Sequence, residues 1–322
     1  MRTLSLVSLS LIIFGAVRAE QTLAFDELGG FDVSDLRVER SAIEFGGPSR
    51  DTIPALNSPK YVSAEEVQFL SDTDKILGFE LGGEYFAYPR HILNWHEIVN
   101  DQVDGKAFAI VYCPLCGSGT AFSAPVTNQG PLKFGVSGLL YNSDVLLFDR
   151  ETNSLWSQLT GSAIAGPMAG TPLHQLPMVV TSWQAWRQEH PQTLVLADDQ
   201  GFKRNYRHDP YTGYETSELL FFEVLRQAPK QFHTKARVLG VEVNGVAKAY
   251  PYSELKKLGV ADFLDTVGDS RYRVYWDAHN DTARIEDLDG RLQVTTELFW
   301  FAWYNFHPNT EVFTSDSSTR SP

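Results

Sequence analysis

The apolar and polar positions of the chain alternate mainly with the period of β-strands. Residues 75–81 and 84–88 are two such runs, and Gly82-Gly83 between them is typical of a two-residue hairpin turn. Further runs with strand character are the buried segment 106–112 and the shorter segments 120–123, 132–137 and 144–149.

Helical patterns are few and short. Ser63-Ala64-Glu65-Glu66 has the form of a capping box, and so has Thr181-Ser182-Trp183-Gln184. Residues 90–100 also have helical spacing. We therefore expect an α+β fold of mostly antiparallel β-structure with short helices.

A weak internal repeat divides the chain. Residues 76–89 align with 238–251, and half of the aligned residues are identical. Residues 183–193 align in the same way with 300–310. The fold is thus expected to consist of two degenerate repeats, of which the second is shorter.

The boundaries of these units follow from the same alignment. We expect an N-terminal arm at 20–55, a first repeat at 56–205 with an inserted Cys-x-x-Cys motif, a second repeat at 206–312, and a polar, disordered tail at 313–322.

The N-terminus has the features of a secretory signal. Arg2 precedes an apolar run from Leu4 to Val17, and the small residue Ala19 follows. We interpret residues 1–19 as a cleavable signal peptide and expect a periplasmic or secreted protein. The alternative is an uncleaved membrane anchor. No later stretch is long and apolar enough to cross a bilayer.

Composition is that of a globular protein, with 43% hydrophobic and 21% charged residues. The formal net charge of −13 repels nucleic acids and anionic lipids. The expected partner is therefore a small molecule or a metal ion rather than a nucleic acid.

The only two cysteines lie in the motif Cys113-Pro114-Leu115-Cys116-Gly117. Pro114 restricts the chain after the first sulfur, and Gly117 permits a tight turn after the second. Rubredoxins and zinc ribbons use this turn for half of a tetrahedral metal site. A disulfide and a thiol–disulfide redox pair remain alternatives, although the glycines that follow are unfavourable for the helix that activates redox pairs.

His96 is the candidate third ligand. On a helix, Ile92, His96 and Val99 share one face, and the strand that ends at Cys113 follows directly. Two thiolates and an imidazole suit copper or zinc. The alternative is a core histidine that is hydrogen-bonded to a carbonyl group.

Three further residues are catalytic candidates. Glu97 follows His96 and could accept a proton, while Tyr141 and Asp144 flank a polar segment that could line a pocket beside the cysteines. A turn formed by Asn142-Ser143-Asp144 is the alternative. The tyrosine-rich segment 206–214 covers the same pocket or links the two repeats.

These motifs together resemble the DUF3179 family, bacterial proteins of unknown function. The resemblance is carried by residues 51–56, 87–89, 92–101, 112–117, 139–144, 149–150 and 155–158, with Pro210-Tyr211 and Gly213-Tyr214. It implies that His96, Cys113 and Cys116 occupy positions that define the group, whereas His91 does not.

Three functions remain open from the sequence. The first is an exported metal-binding protein with Cys113, Cys116 and His96 as ligands, in one form a copper- or zinc-dependent oxidoreductase. The second is a thiol–disulfide protein without metal. The third is a non-catalytic, extracytoplasmic binding module.

Overall fold

Strands dominate the structure, a computed structural model that describes residues 27–316. Strands contain 41% of the residues and helices 11%, and the sheets are arranged as a five-bladed β-propeller. The expected α+β fold of two degenerate repeats is therefore wrong. The signal-peptide prediction lies outside the described residues.

The elements are as follows. The strands in the first part of the chain are β1 (Glu27–Leu28), β2 (Phe31–Asp32), β3 (Ile43–Phe45), β4 (Tyr61–Ser63), β5 (Lys75–Leu81), β6 (Glu84–Pro89), β7 (Ile98–Val103), β8 (Lys106–Cys113), β9 (Ser118–Ser123), β10 (Val126–Thr127), β11 (Gly130–Pro131), β12 (Phe134–Tyr141) and β13 (Asp144–Asp149). The later strands are β14 (Leu155–Ser157), β15 (Ser162–Ala165), β16 (His174–Leu176), β17 (Met178–Ser182), β18 (Leu194–Leu196), β19 (Arg237–Val243), β20 (Val246–Pro251), β21 (Asp262–Val267), β22 (Ser270–Asp277), β23 (Thr282–Glu286), β24 (Thr296–Phe299) and β25 (Glu311–Val312). The helices are α1 (Arg90–His96), α2 (Trp183–Glu189), α3 (Tyr252–Leu258) and α4 (Trp300–Phe306), with a 3-10 turn at Arg40–Ala42.

Five sheets of three or more strands form the blades. Their strand orders are β15-β14-β13-β12-β3 in blade I, β16-β9-β8-β7 in blade II, β17-β5-β6-β18-β4 in blade III, β24-β19-β20-β25 in blade IV and β21-β22-β23 in blade V. Nearly all pairings are antiparallel, and β18 and β25 join their blades in parallel.

Blades III and IV explain why the chain looked like two repeats. The orders β17-β5-β6-β18 and β24-β19-β20-β25 are equivalent, and they contain the segments that align in sequence. In each blade a tryptophan packs on a glycine of the first hairpin strand, Trp186 on Gly78 and Trp303 on Gly240. A Cβ at these glycines would lie 2.4 Å and 2.2 Å from the indole. The similarity therefore belongs to two blades and not to two halves of the molecule.

The segment expected to be an N-terminal arm packs on blade I where it is described. Strand β3 pairs with β12, with Ile43 opposite Tyr141. Phe31 is fully buried and contacts Phe148 at a ring-centroid distance of 5.5 Å. At the other end of the chain Phe313 is also buried.

Local predictions fail where a helix was expected to continue. Helix α1 ends at His96, because Glu97 has φ +57° and β7 begins at the next residue. Ser63 and Glu66 make the hydrogen bonds of a capping box, yet they close a turn and start no helix. Within residues 27–316, no helix combines the length and apolar character needed to cross a membrane.

Candidate metal centre

The ends of two hairpins meet at the cysteine pair, one hairpin from blade II and one from blade I. Cys113 is the last residue of β8 and pairs with Ser118, so the loop that holds Cys116 connects β8 to β9. Asp144 is the first residue of β13 and pairs with Tyr141. Two different sheets therefore supply the side chains of the site.

The backbone of the cysteine loop requires a glycine. Gly117 has φ +63°, a conformation that costs little only for glycine. A Cβ at Gly117 would also lie 2.9 Å from the ring of Phe299. The same phenylalanine donates its backbone N–H to the carbonyl of Cys116 at 2.8 Å. Blade IV thus holds this loop in place.

Three donor groups converge at this point. One donor atom from each of Cys113, Cys116 and Asp144 lies within 4.8 Å of the other two. All three residues are buried, and both cysteines are free thiols. Cys113 Sγ lies 3.8 Å from the carbonyl oxygen of Ser143. Among the described residues this is the one group of His, Cys, Asp and Glu side chains with a spacing suited to a metal ion.

Ser118 and Gln158 orient the carboxyl group of Asp144. Ser118 Oγ lies 3.2 Å from Asp144 Oδ1 and 3.2 Å from Gln158 Oε1, so its single proton can serve either acceptor. Gln158 Nε2 donates to the carbonyl of Ser118 and to Thr120 Oγ1, both at 3.1 Å. The other oxygen, Asp144 Oδ2, is buried without a hydrogen bond of normal geometry. Ser118 therefore holds one side of this carboxyl group, and the two thiols lie beside it.

Burial favours the protonated forms of the acidic groups of the site. Burial raises the pKa of Asp144 to about 7, although the hydrogen bond from Ser118 lowers it in part. Burial and the nearby Asp144 charge raise the pKa of Glu97 to about 8. Burial also raises the pKa of both thiols, and the neighbouring carboxyl groups add to this effect.

Tyr214 covers the site from the irregular segment before blade IV. It is buried, and its hydroxyl has no hydrogen-bond partner among the described residues. Burial raises its pKa, and the charges of the two thiols add to the shift, which places the tyrosine beside them. Lys235 Nζ lies 4.0 Å from the centre of the Tyr214 ring. The expectation that segment 206–214 lies over the pocket therefore agrees with the position of Tyr214.

The structure places His96 outside the group of donor atoms. Its Nδ1 lies 2.7 Å from the carbonyl oxygen of Pro54, and its Nε2 lies 2.6 Å from the hydroxyl of Tyr206. Both ring nitrogens are thus engaged in hydrogen bonds, which is the core-histidine alternative. We replace His96 by Asp144 in the candidate ligand set.

The three catalytic candidates differ in their distance from the donor group. Asp144 lies within the donor group, and the buried Glu97 interacts electrostatically with it. Glu97 also has a positive φ, which is uncommon for a residue with a side chain and is enriched at functional sites. Tyr141 is half-buried and packs edge-on against Phe306 at 5.3 Å. It is not part of the donor group.

Sequence reasoning missed two residues of the site. Ser118 follows the cysteine motif directly, so its proximity was a signal that could have found it. Tyr214 belongs to the tyrosine-rich segment, but nothing local distinguishes it from the other tyrosines there. Tyr214 is distinguished only in the folded structure, where this segment lies over the hairpin ends.

Comparison with known proteins gives a family. A family model described as "Protein of unknown function (DUF3179)" matches residues 50–294, which include the cysteine pair, Asp144, Glu97 and Tyr214. No curated protein and no solved structure shows a significant match.

Proposed function

We propose that this chain, which belongs to the DUF3179 family, binds a thiophilic metal ion through Cys113, Cys116 and Asp144. The observation that carries the proposal is the convergence of these three donor atoms within 4.8 Å at a fully buried point. Tetrahedral bonds of about 2.0–2.3 Å need donors about 3.5–4 Å apart, so a small inward movement suffices.

The electrostatics of the site favour a bound cation. Burial disfavours the charged form of both thiols and the charge of Asp144 adds to this effect, although hydrogen bonds from Cys116 favour the thiolate of Cys113. A buried acidic cluster of this kind is costly to ionise without a compensating charge. A divalent ion supplies that charge, and it would also provide the partner that Asp144 Oδ2 lacks.

The donor set fits zinc better than copper. Zinc accepts thiolate and carboxylate ligands together, whereas copper(I) prefers soft sulfur donors alone. Three protein ligands leave the fourth position of a tetrahedral ion open, as in catalytic zinc sites. Glu97 and Tyr214 flank the site, and they would hold or exchange a proton with a small molecule bound there.

The same surroundings weigh against a thiol–disulfide function. Reactive cysteines need a lowered pKa, partial exposure and an electropositive neighbourhood. Here burial raises the pKa of both thiols, and the neighbouring groups are carboxyls. Cys116 also precedes a turn and a strand, not a helix N-terminus.

Metal analysis of untagged protein tests this proposal. We expect close to one equivalent of zinc by elemental mass spectrometry in the wild-type protein. Cys113→Ser, Cys116→Ser and Asp144→Asn should each lower the affinity for zinc by at least about tenfold, because even outer-sphere partners of a metal site contribute that much. In protein recovered from outside the cytoplasm, N-terminal sequencing should begin at Glu20, since we include export in the proposal.

His96→Gln is the matched control. It removes a buried side chain near the site that makes no contact with the donor group, so it should retain the metal. Loss of metal from His96→Gln but not from Asp144→Asn would contradict this ligand assignment. Wild-type protein that takes up neither zinc nor copper, and whose two thiols cycle with a disulfide, would support the redox alternative instead.

A further inference from the structure

A cavity lies between blades III and V, away from the donor group of the metal centre. Its volume is about 800 Å³, within the range of small-molecule binding sites. Contacts between the two blades frame it, such as the hydrogen bond from Thr282 Oγ1 to Thr181 Oγ1 at 2.9 Å. The proposed metal function does not use this cavity.

Aromatic side chains line both walls of the cavity. Blade III and its helix α2 provide Tyr85 and Trp186, and blade V provides Tyr275 and Trp276. Tyr85 stacks on His190 at 4.1 Å, and the guanidinium of Arg284 lies 4.9 Å from the Tyr275 ring centre. Trp186 and Trp276 are buried, whereas the half-buried Tyr85 and Tyr275 offer apolar ring faces to a ligand.

Blade IV provides an internal comparison. A smaller groove of about 330 Å³ beside it is lined by Gly240, Glu242, Trp303 and His307. The cavity beside blade III has the equivalent residues Gly78, Glu80, Trp186 and His190. These four positions are therefore part of the blade scaffold and do not by themselves indicate a ligand.

The two pockets differ in the residues that are added to this scaffold. Glu80 is paired with Tyr85 in the hairpin of blade III, whereas Glu242 is paired with Ala247 in blade IV. The opposite wall with Trp276 and Arg284 belongs to the larger cavity alone. The additional aromatic and polar groups are thus present in the larger cavity and absent from the lining of the smaller groove.

The polar groups of the cavity include both donors and acceptors. Arg284 forms ion pairs with Glu189 at 3.4 Å and Glu286 at 3.0 Å. Glu80, Asp277 and Lys256 also line the cavity. Carboxylates outnumber the basic groups, which disfavours an anionic ligand.

We propose that this cavity binds a neutral oligosaccharide. The apolar faces of sugar rings would pack on the aromatic walls, and their hydroxyl groups both donate and accept hydrogen bonds, as this mixed lining requires. An organic cation would suit the rings, but Glu189 and Glu286 already pair with Arg284 and are not free to neutralise its charge. A purely apolar ligand would leave the charged groups unpaired.

Calorimetric titration with neutral hexasaccharides tests the proposal. The probes are the hexamers of β-1,4-linked glucose, α-1,4-linked glucose and β-1,4-linked N-acetylglucosamine, and at least one should bind to the wild-type protein. Tyr275→Ala removes a half-buried aromatic face of the cavity, so it should weaken binding by about tenfold. Glu80 is exposed, so Glu80→Gln should weaken binding without unfolding the protein.

Glu242→Gln is the matched control, because it changes the equivalent position of the smaller groove. It should leave binding unchanged. The proposal is overturned if none of the three hexasaccharides binds, or if Glu242→Gln weakens binding as much as Glu80→Gln does. Binding should persist after removal of the metal, so this result and the metal analysis can fail independently.

Discussion

Asp144 and Glu97 are two buried carboxyl groups with raised pKa values of about 7 and about 8. Burial is the main cause in both cases, and it favours the neutral form of the carboxyl. In the unfolded chain the same groups titrate near pH 4. Between these values the native state holds protons that the unfolded state has released, which links the stability of the metal-free protein to pH.

We expect the metal-free protein to lose stability as the pH rises from about 5 to about 8. The native state then binds more protons than the unfolded state, and each such carboxyl lowers the free energy of unfolding by up to about 1.4 kcal/mol per pH unit. Urea unfolding in the presence of a chelator measures this dependence. Asp144→Asn should make it shallower.

Zinc should reverse this trend, because the thiols and the carboxyl must release their protons to bind the ion. The apparent affinity for zinc should therefore increase over the same pH interval. A metal-free protein whose stability rises between pH 5 and pH 8 would contradict the assignment of these two carboxyls.

At the scale of elements, the site depends on two hairpin ends with defined turns. The loop after β8 needs a positive φ at Gly117, and the turn before β13 places Asn142 and Ser143 at φ +51° and +68°. Short turns of this kind fix the direction of the side chains that flank them. The donor atoms thus lie at the ends of paired strands and in the short turn between two of them.

Gly117→Ala should destabilise the protein and weaken metal binding. The substitution imposes a left-handed conformation on alanine, at about 1–2 kcal/mol, and it also forces a Cβ against Phe299. We expect a total loss of about 2–4 kcal/mol in urea unfolding, together with reduced zinc occupancy.

Gly83→Ala separates the two effects. Gly83 has φ +85°, and a Cβ there would have no neighbour within 4 Å. It should cost only the conformational part, about 1–2 kcal/mol, and leave zinc binding intact. Equal losses for the two alanine variants would show that the contact with Phe299 is unimportant.

At the scale of the whole molecule, Arg237 connects several parts of the propeller. This residue of blade IV lies 2.8 Å from Glu215 in the preceding irregular segment, 3.0 Å from Asp281 in the loop of blade V and 3.9 Å from Glu297 in its own blade. Its side chain is only 17% exposed. The neighbouring carboxylates raise the pKa of Arg237, although burial opposes this.

We expect Arg237→Gln to lower the free energy of unfolding by about 3–5 kcal/mol, because it leaves the buried carboxylate of Glu297 without its positive partner. Arg273→Gln is the control, since Arg273 pairs with Asp262 on the surface of blade V, and such pairs contribute under about 1 kcal/mol. Thermal and urea unfolding measure both. A loss below about 1 kcal/mol for Arg237→Gln would show that this network does not hold the blades together.

The sequence predicted several residues of the site, but not which side chains form its group of donors. The cysteine pair was found because its turn is encoded within five consecutive residues, and Asp144 was named as a pocket residue. His96 was chosen as the third ligand because a continuous helix would turn it toward the cysteines. That helix ends at His96, and the ring instead bonds to Pro54 and Tyr206, which are distant in sequence.

The sequence by itself determined the strands and hairpin turns, the metal-type cysteine loop, and the likeness of two segments that prove to be blades. Each of these depends on residues close to one another along the chain, where side-chain period and turn chemistry act directly. The tertiary structure alone decided the number of blades and the position of Asp144 beside the two cysteines. Both follow from packing between sheets, in which Cys113 of blade II meets Asp144 of blade I, and no local pattern specifies which hairpin ends will meet.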